Sequence, residues 1–158
     1  MRRTFADELY KYMKKDSHIW LVVGDLGYRV FNNHFKDFPD RCINTGAAEQ
    51  AMMGIACGLA VERKIPFVYS ITTFLLYRPF ETIRNYVNHE KLNVKLIASG
   101  RDKDYAHDGF SHWSEDANII LRTFHNIQKC SPGNKEEIPG IVKKMIQSEK
   151  PYFLSLRR

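Results

Sequence analysis

Three short stretches carry side chains with chemistry to offer. The first is Asn44-Thr45-Gly46-Ala47-Ala48-Glu49-Gln50, where one carboxylate, Glu49, stands at the entrance of the apolar segment Ala51 to Ala60. A carboxyl group in so dry a place suits a ligand that hydrogen-bonds it and shares its proton. The plainer alternative is that Glu49 favours the positive N-terminus of a helix, and on residue types alone that role is the commoner one. The second stretch is Thr73 to Arg84, in which Phe74, Tyr77 and Phe80 recur every three residues. Such a stripe walls a flat pocket or, more often, packs into a core. The third is Asp104 to His112, a loop that gathers His107, Asp108 and His112. Two histidines and an aspartate are metal-ligand types, but no His-x-x-x-His spacing is present, which favours a loop that hydrogen-bonds a polar substrate.

The hydropathy pattern supplies an alternating scaffold for these stretches. Phe5, Leu9, Tyr12 and Met13 fall at helical spacing, and Ile19 to Val23 is a short apolar strand that ends at Gly24-Asp25. A helix is expected from Ala47 to Val61, a strand over Pro66 to Ser70, and a helix from Phe74 to Asn88 interrupted by Pro79. Val94 to Ala98 reads as a strand, Ile119 to Leu121 as a short helix, and Ile127 to Cys130 as a strand. Asn134 is placed to cap a helix that runs through Gln147, and Pro151 to Leu156 closes the pattern as a strand. Apolar strands separated by helices predict an α/β fold of three layers, a mostly parallel sheet flanked by helices. Reactive loops in such folds lie at the carboxyl ends of strands. Here those ends are Gly24 to Gly27, Gly46 to Glu49, Ser70 to Phe74 and Ser99 to His112. The helix after Glu49 is apolar on nearly every side, so burial all round is expected, centrally or against another chain. Gly54 and Gly58, one turn apart, would let a second backbone approach closely.

The composition narrows the function classes. The 158 residues suit one domain, 1–158, with no room for a second catalytic domain. The net charge of +6, from 24 Lys+Arg against 18 Asp+Glu, is scattered rather than gathered into a basic stripe with stacking aromatics. Nucleic-acid binding is therefore not expected. Acidic Asp7 and Glu8 stand where a signal peptide needs apolar residues, and no apolar run approaches the ~20 residues of a membrane span. Cys42, Cys57 and Cys130 are odd in number and widely spaced, which reads as reduced thiols of a cytoplasmic protein.

Taken in order, these residues resemble the pyrimidine-binding domain of transketolase-like, thiamine-diphosphate-dependent enzymes. The likeness runs from Arg41 through Ala60 and Ile65 to Val68, continues over Phe74 to Arg84 and reaches Asp108 to His112; Gly46-x-x-Glu49-Gln50 is its most specific element. The resemblance implies that Glu49 is catalytic. It would hydrogen-bond a ring nitrogen of the cofactor's aminopyrimidine and so favour the form that takes the thiazolium proton. It also implies that Phe74, Tyr77 and Phe80 wrap the pyrimidine and that Asp25 lies near the cofactor. His112 and Asp108 are similar to residues that contact a sugar's hydroxyls and carbonyl, His112 in a catalytic role. Arg3 and Arg157 resemble arginines that hold a substrate phosphate.

The same resemblance shows what is missing. The family holds its diphosphate and Mg²⁺ through Gly-Asp-Gly followed by a distant Asn. Gly24-Asp25-Leu26-Gly27 imitates this only in part, because Asn32 and Asn33 follow too soon. A separate diphosphate-binding subunit is therefore expected, in a heterotetramer, with Mg²⁺ held mainly by that partner. The third domain of full-length members has no counterpart either. A histidine expected near Gly100 is absent and the position of Arg29 is altered, which points away from an ordinary pentose phosphate. The implied activity is transfer of a two-carbon ketol unit, or acyloin formation, on sugar phosphates or related sugars. A 2-keto-acid decarboxylase or dehydrogenase subunit and a non-catalytic scaffold of the same fold are the alternatives.

Overall fold

The computed structural model describes all residues, 1–158. Six strands, β1 (Ile19–Val23), β2 (Cys42–Asn44), β3 (Ile65–Ile71), β4 (Lys95–Ser99), β5 (Gln128–Cys130) and β6 (Tyr152–Leu156), form one sheet in the order β2-β1-β3-β4-β6-β5. Every neighbouring pair is parallel. The expectation of a mostly parallel sheet is met by one with no antiparallel member. Between the strands run α1 (Arg2–Met13), α2 (Asn32–Asp37), α3 (Glu49–Val61), α4 (Thr72–Tyr77), α5 (Phe80–Thr82, continued as a π-helical turn over Ile83–His89), α6 (Ala117–Arg122) and α7 (Ile138–Gln147).

Each face of the sheet has its own core, because alternate strand residues point to opposite sides. On one face Leu21, Val23, Phe67, Tyr69, Ile97, Leu154 and Leu156 meet Phe5, Leu9 and Met13 of α1 and Ile138, Val142 and Met145 of α7. On the other, Val22, Val68, Leu96, Ala98 and Phe153 meet α3, α4, α6 and the π-helical turn. Asn134 caps as expected. Its side chain accepts from Glu136 and Glu137 N–H while Glu137 Oε1 accepts from the Asn134 N–H, a reciprocal box that starts the turn leading into α7.

Two elements escape the sequence reading. Strand β2 is a three-residue edge strand, and α2 (Asn-Asn-His-Phe-Lys-Asp) has only His34 buried, so neither shows a periodic apolar signal. This chain does not enclose α3 on every side, so of the two settings expected for it the central one is corrected. Met52, Met53, Ala56 and Cys57 face the core, but Ala51, Gly54, Ile55 and Gly58 face outward and Val61 is 65% exposed. Its mixed small and apolar surface masks the direction of the core in the sequence.

The order of strands creates the crevice that matters. The segment after β1 packs with α2 on the α1 side of the sheet, whereas β3 passes directly into α4 on the opposite side. Adjacent strands whose connections part to opposite faces open a cleft at their carboxyl ends.

Lys95, at the start of β4, is fully buried. Its Nζ donates to the Ser148 carbonyl at 2.8 Å and the Lys150 carbonyl at 2.6 Å, and lies 5.0 Å from the centre of the Tyr152 ring. Burial pushes its pKa from the ordinary 10.5 down to about 7. Between those values the unfolded chain binds the extra proton, so Lys95's contribution to stability rises with pH through that window. Denaturant titrations of wild type and Lys95→Met from pH 7 to pH 10 are expected to shift progressively in favour of wild type. A pH-independent difference overturns the assignment.

Candidate active site at the carboxyl ends of β1, β2 and β3

The carboxyl end of β1 is Gly24, followed by Asp25 in a left-handed conformation, φ 53°. The Asp25 N–H donates to Asn44 Oδ1 at 3.0 Å, and the same oxygen accepts from the Gly46 N–H at 3.0 Å. One amide side chain thus ties the end of β1 to the end of β2 and aims the chain into α3. Glu49 is the first residue of α3 and only 2% exposed. A Cβ at Gly24 would stand 3.3 Å from Met52 Sδ and 3.5 Å from Glu49 Oε1, so the strand ends in a residue whose bareness leaves the carboxyl group its space.

Glu49 meets Arg78, 29 residues on. Nη1 of Arg78 donates to Glu49 Oε2 at 2.6 Å, and the Arg78 guanidinium carbon lies 3.8 Å from the centre of the Phe74 ring. Arg78 follows the last turn of α4, one turn beyond Phe74, so the two side chains share a helix face. The opposite side of the cluster comes from the segment after β4. His112 sets its ring edge-to-face with Phe74, centroids 4.9 Å apart, and the Thr73 hydroxyl donates to the Ser111 carbonyl at 2.8 Å. A buried carboxylate, an aromatic face, a guanidinium and an imidazole therefore meet at the β3 end of the cleft.

The other sequence-predicted residues are distributed as follows. Tyr77 donates its hydroxyl to Asp116 ahead of α6, and burial, reinforced by that hydrogen bond and charge, pushes its pKa up. Phe80 packs against Phe124, 5.5 Å between ring centres. Of the three aromatics, Phe74 is the one joined to Glu49 through Arg78; Tyr77 and Phe80 continue the wall toward α6. Asp25 is exposed at the rim. Asp108 lies 3.2 Å from His107, and His112 Nδ1 lies 3.0 Å from Ser111 Oγ. Arg3 is exposed and donates to the Arg29 carbonyl at 3.3 Å. Arg157 pairs with Asp104 at 3.3 Å and Asp102 at 3.7 Å. No group of three or more His, Cys, Asp or Glu residues that could hold a metal is present.

Sequence reasoning did not single out Arg78. Its signal was present as a lone basic residue inside the aromatic stripe, at helical spacing from Phe74. Nor did it single out Asn44 and Thr73, whose roles rest on main-chain partners. The three thiols stand apart from this chemistry. All are free, and burial pushes Cys42 up to about 12 and Cys57 up to about 11, which leaves them unreactive.

A three-layer parallel α/β fold with a buried carboxylate and an aromatic face at the strand-end cleft defines a ligand-binding domain of the α/β class. Comparison with known proteins narrows that class. The family described as "Transketolase, pyrimidine binding domain" matches residues 1–158, and the chain belongs to it. That family is thiamine diphosphate dependent.

The chain is 31% identical over 159 aligned positions to a putative transketolase C-terminal section of Methanocaldococcus jannaschii, covering 100% of this chain and 50% of that protein. It is 29% identical to a 6-deoxy-6-sulfo-D-fructose transketolase subunit of Clostridium sp. (strain MSTE9), with 100% and 49% covered. A solved structure described as a split-gene transketolase, an inactive β4 tetramer, superposes with a TM-score of 0.86 at 32% identity, over 99% of this chain and 51% of that one. The chain thus spans about half the length of the curated relatives it matches.

The Thr73 bond is testable by itself. Thr73→Val removes the anchor of the Ser111 carbonyl and should cost no more than ~1.5 kcal/mol of global stability. Hydrogen exchange of the segment 105–114 is expected to quicken in the variant; unchanged protection there would show that the bond does not hold the His112 loop.

Proposed function

We propose that this chain supplies the pyrimidine-binding half of the active site of a split transketolase-like enzyme. The enzyme would transfer a two-carbon ketol unit, or make an acyloin bond, on sugar phosphates or related sugars. The observation that carries this reading is Glu49, a carboxyl group withdrawn from water and linked through Arg78 to the Phe74 face, in a chain of the transketolase pyrimidine-binding family. The residues fit thiamine diphosphate by their chemistry. A withdrawn acid suits a ring nitrogen, and an aromatic face suits a flat heterocycle. When bound, that cofactor supplies a carbon nucleophile for a substrate carbonyl.

Glu49 would hydrogen-bond the pyrimidine ring nitrogen and hold the proton shared with it. Phe74 offers its ring face, Tyr77 and Phe80 extend the wall, and Asp25 stands at the rim near the cofactor. His112, set by Phe74 and Ser111, and Asp108 contact the hydroxyls and carbonyl of the sugar, His112 moving a proton. Arg3 and Arg157 receive the anionic end of the substrate. Arg157 is itself half exposed in its pairs with Asp102 and Asp104, so the guanidinium is free to turn to a better anion. One relative's name carries a sulfonated sugar, and that of a transketolase component from Actinobacillus succinogenes carries apulose 4-phosphate. Both names favour an anionic ketose as the substrate class.

The relatives described as a C-terminal section and as transketolase subunits favour a second polypeptide that holds the diphosphate and Mg²⁺, with residues 1–158 as a single pyrimidine-binding domain, in a heterotetramer of two copies of each. The outward face of α3 supports that arrangement. Ala51, Gly54, Ile55, Gly58 and Val61 lie uncovered along it, and no atom of this chain comes within 4 Å of a Cβ built at Gly54 or Gly58. Nothing in the chain itself requires glycine there, whereas close approach of a second backbone does.

Two experiments test the reading. In the assembled complex, Glu49→Gln is expected to slow hydrogen–deuterium exchange at the thiazolium carbon of thiamine diphosphate by about 10²-fold or more; wild-type exchange would reject the role. Gly54→Ala should leave the chain folded, even stabilised by up to ~1 kcal/mol, because a mid-helix glycine is costly. The same substitution is expected to weaken subunit association in sedimentation runs, and undiminished assembly would remove α3 from the interface.

A further inference from the structure

The Glu49–Phe74 pair is already occupied, by a group of this chain. The Arg78 guanidinium is flat and delocalised, as an aminopyrimidine is, and it offers the carboxylate an N–H donor, as the ring nitrogen does when it holds the shared proton. It lies against the Phe74 ring at 3.8 Å and donates to Glu49 Oε2 at 2.6 Å. These are the two contacts that the proposed function gives to the cofactor's ring. At 3.8 Å no second planar group fits between the guanidinium and Phe74, and the Oε2 lone pair in line with Nη1 is already in use.

We propose that Arg78 is an internal surrogate for the aminopyrimidine, a latch that fills its place in the free chain and leaves when the cofactor enters. The proposal rests on the function proposed above. Three features of the site favour a latch over a permanent strut. First, a carboxylate as withdrawn as Glu49 is costly without a partner, so the empty site needs a stand-in. Second, the Arg78 side chain is 46% exposed while Glu49 is 2% exposed, so the guanidinium has solvent to swing into and the carboxylate does not. Third, Arg78 follows the end of α4 on a long flexible stem, and its departure disturbs no backbone hydrogen bond of the helix. The latch keeps Glu49 in place and aimed at the cleft, at the expense of apparent cofactor affinity, because the competent state is only partly populated.

Calorimetric titration of thiamine diphosphate onto the full chain in its assembled complex tests the proposal, with Arg78→Gln, Arg78→Lys, Glu49→Gln and the double variant Glu49→Gln/Arg78→Gln. Arg78→Gln is expected to bind about fivefold tighter than wild type, the gain that releasing a half-exposed ion pair allows. Arg78→Lys, which keeps the charge but loses the flat fork, should fall between the two. In the Glu49→Gln background the Arg78 substitution is expected to make no difference, because the competing contact is gone. If wild type binds saturably and Arg78→Gln binds equally or more weakly, the latch is overturned while the functional reading stands. A gain that persists in the Glu49→Gln background also overturns it. If wild type shows no saturable binding, the functional reading falls and the latch with it.

Discussion

A single carboxyl group kept out of water sets the terms for the rest of this structure. Glu49 sits at the first residue of α3 with 2% of its surface exposed, a position that costs several kcal/mol for an unpaired charge. The fold answers with a guanidinium at 2.6 Å and the positive end of a thirteen-residue helix. Those answers dictate neighbouring choices. Gly24, just after strand β1, lies against Met52 and Glu49, where a Cβ would stand 3.3 Å from Met52 Sδ and in ordinary contact with Glu49. Helix α4 is followed by an arginine because that turn faces the carboxylate. Asn44 spends its side-chain oxygen on two backbone N–H groups so that the chain enters α3 at the required angle. None of these residues is in the main core, yet all follow from one buried acid.

The two faces of the sheet meet this constraint unequally. The face under α1 and α7 is finished within the chain, with Phe5, Leu9, Met13, Ile138, Val142 and Met145 all at or near complete burial. The face under α3 is finished beneath the helix but not above it, where small and apolar residues lie uncovered. A parallel sheet needs helices on both sides, and this one has them. What it lacks is an outer cover for one helix, the same one whose first residue is Glu49. Site and uncovered face are thus two ends of one element, which fits a cofactor held between polypeptides.

Much of this was legible in the sequence, for reasons that differ by element. Strands β1, β3, β4 and β6 are buried on both faces and read as continuous apolar runs, so periodicity located them within a residue or two. The cap at Asn134 was legible because Asn-x-x-Glu has a local mechanism. The short edge strand β2 and the polar helix α2 were not, since neither has enough apolar residues to show a period. The aromatic stripe was half legible. Its spacing placed Phe74, Tyr77 and Phe80 on one side of a helix, but Pro79 breaks the first turns and the π-helical turn follows. Phe74 consequently joins Glu49 while Tyr77 and Phe80 turn toward α6. Arg78 showed in the sequence as a lone basic residue in the stripe, but its pairing with Glu49 did not, because it joins two helices through the fold.

The segment from Ser99 to Ser114 obeys a different rule. It is held by polar contacts rather than by a core. Thr72 donates to the Gly100 carbonyl, Thr73 to the Ser111 carbonyl, and Arg101 reaches Ser155. Gly100 itself is fixed by its positive φ of 87° and by the Tyr105 ring, which would lie 2.3 Å from any Cβ there. Bonds of this kind locate a backbone without specifying the outward side chains. His107, Asp108, Phe110 and His112 take no part in the two cores on the faces of the sheet. The acid and its aromatic partner, by contrast, are locked to strand ends and a helix start. A fold divided in this way fixes the surroundings of Glu49 through the sheet and α3, and holds the 99–114 segment over them by side-chain bonds to its backbone.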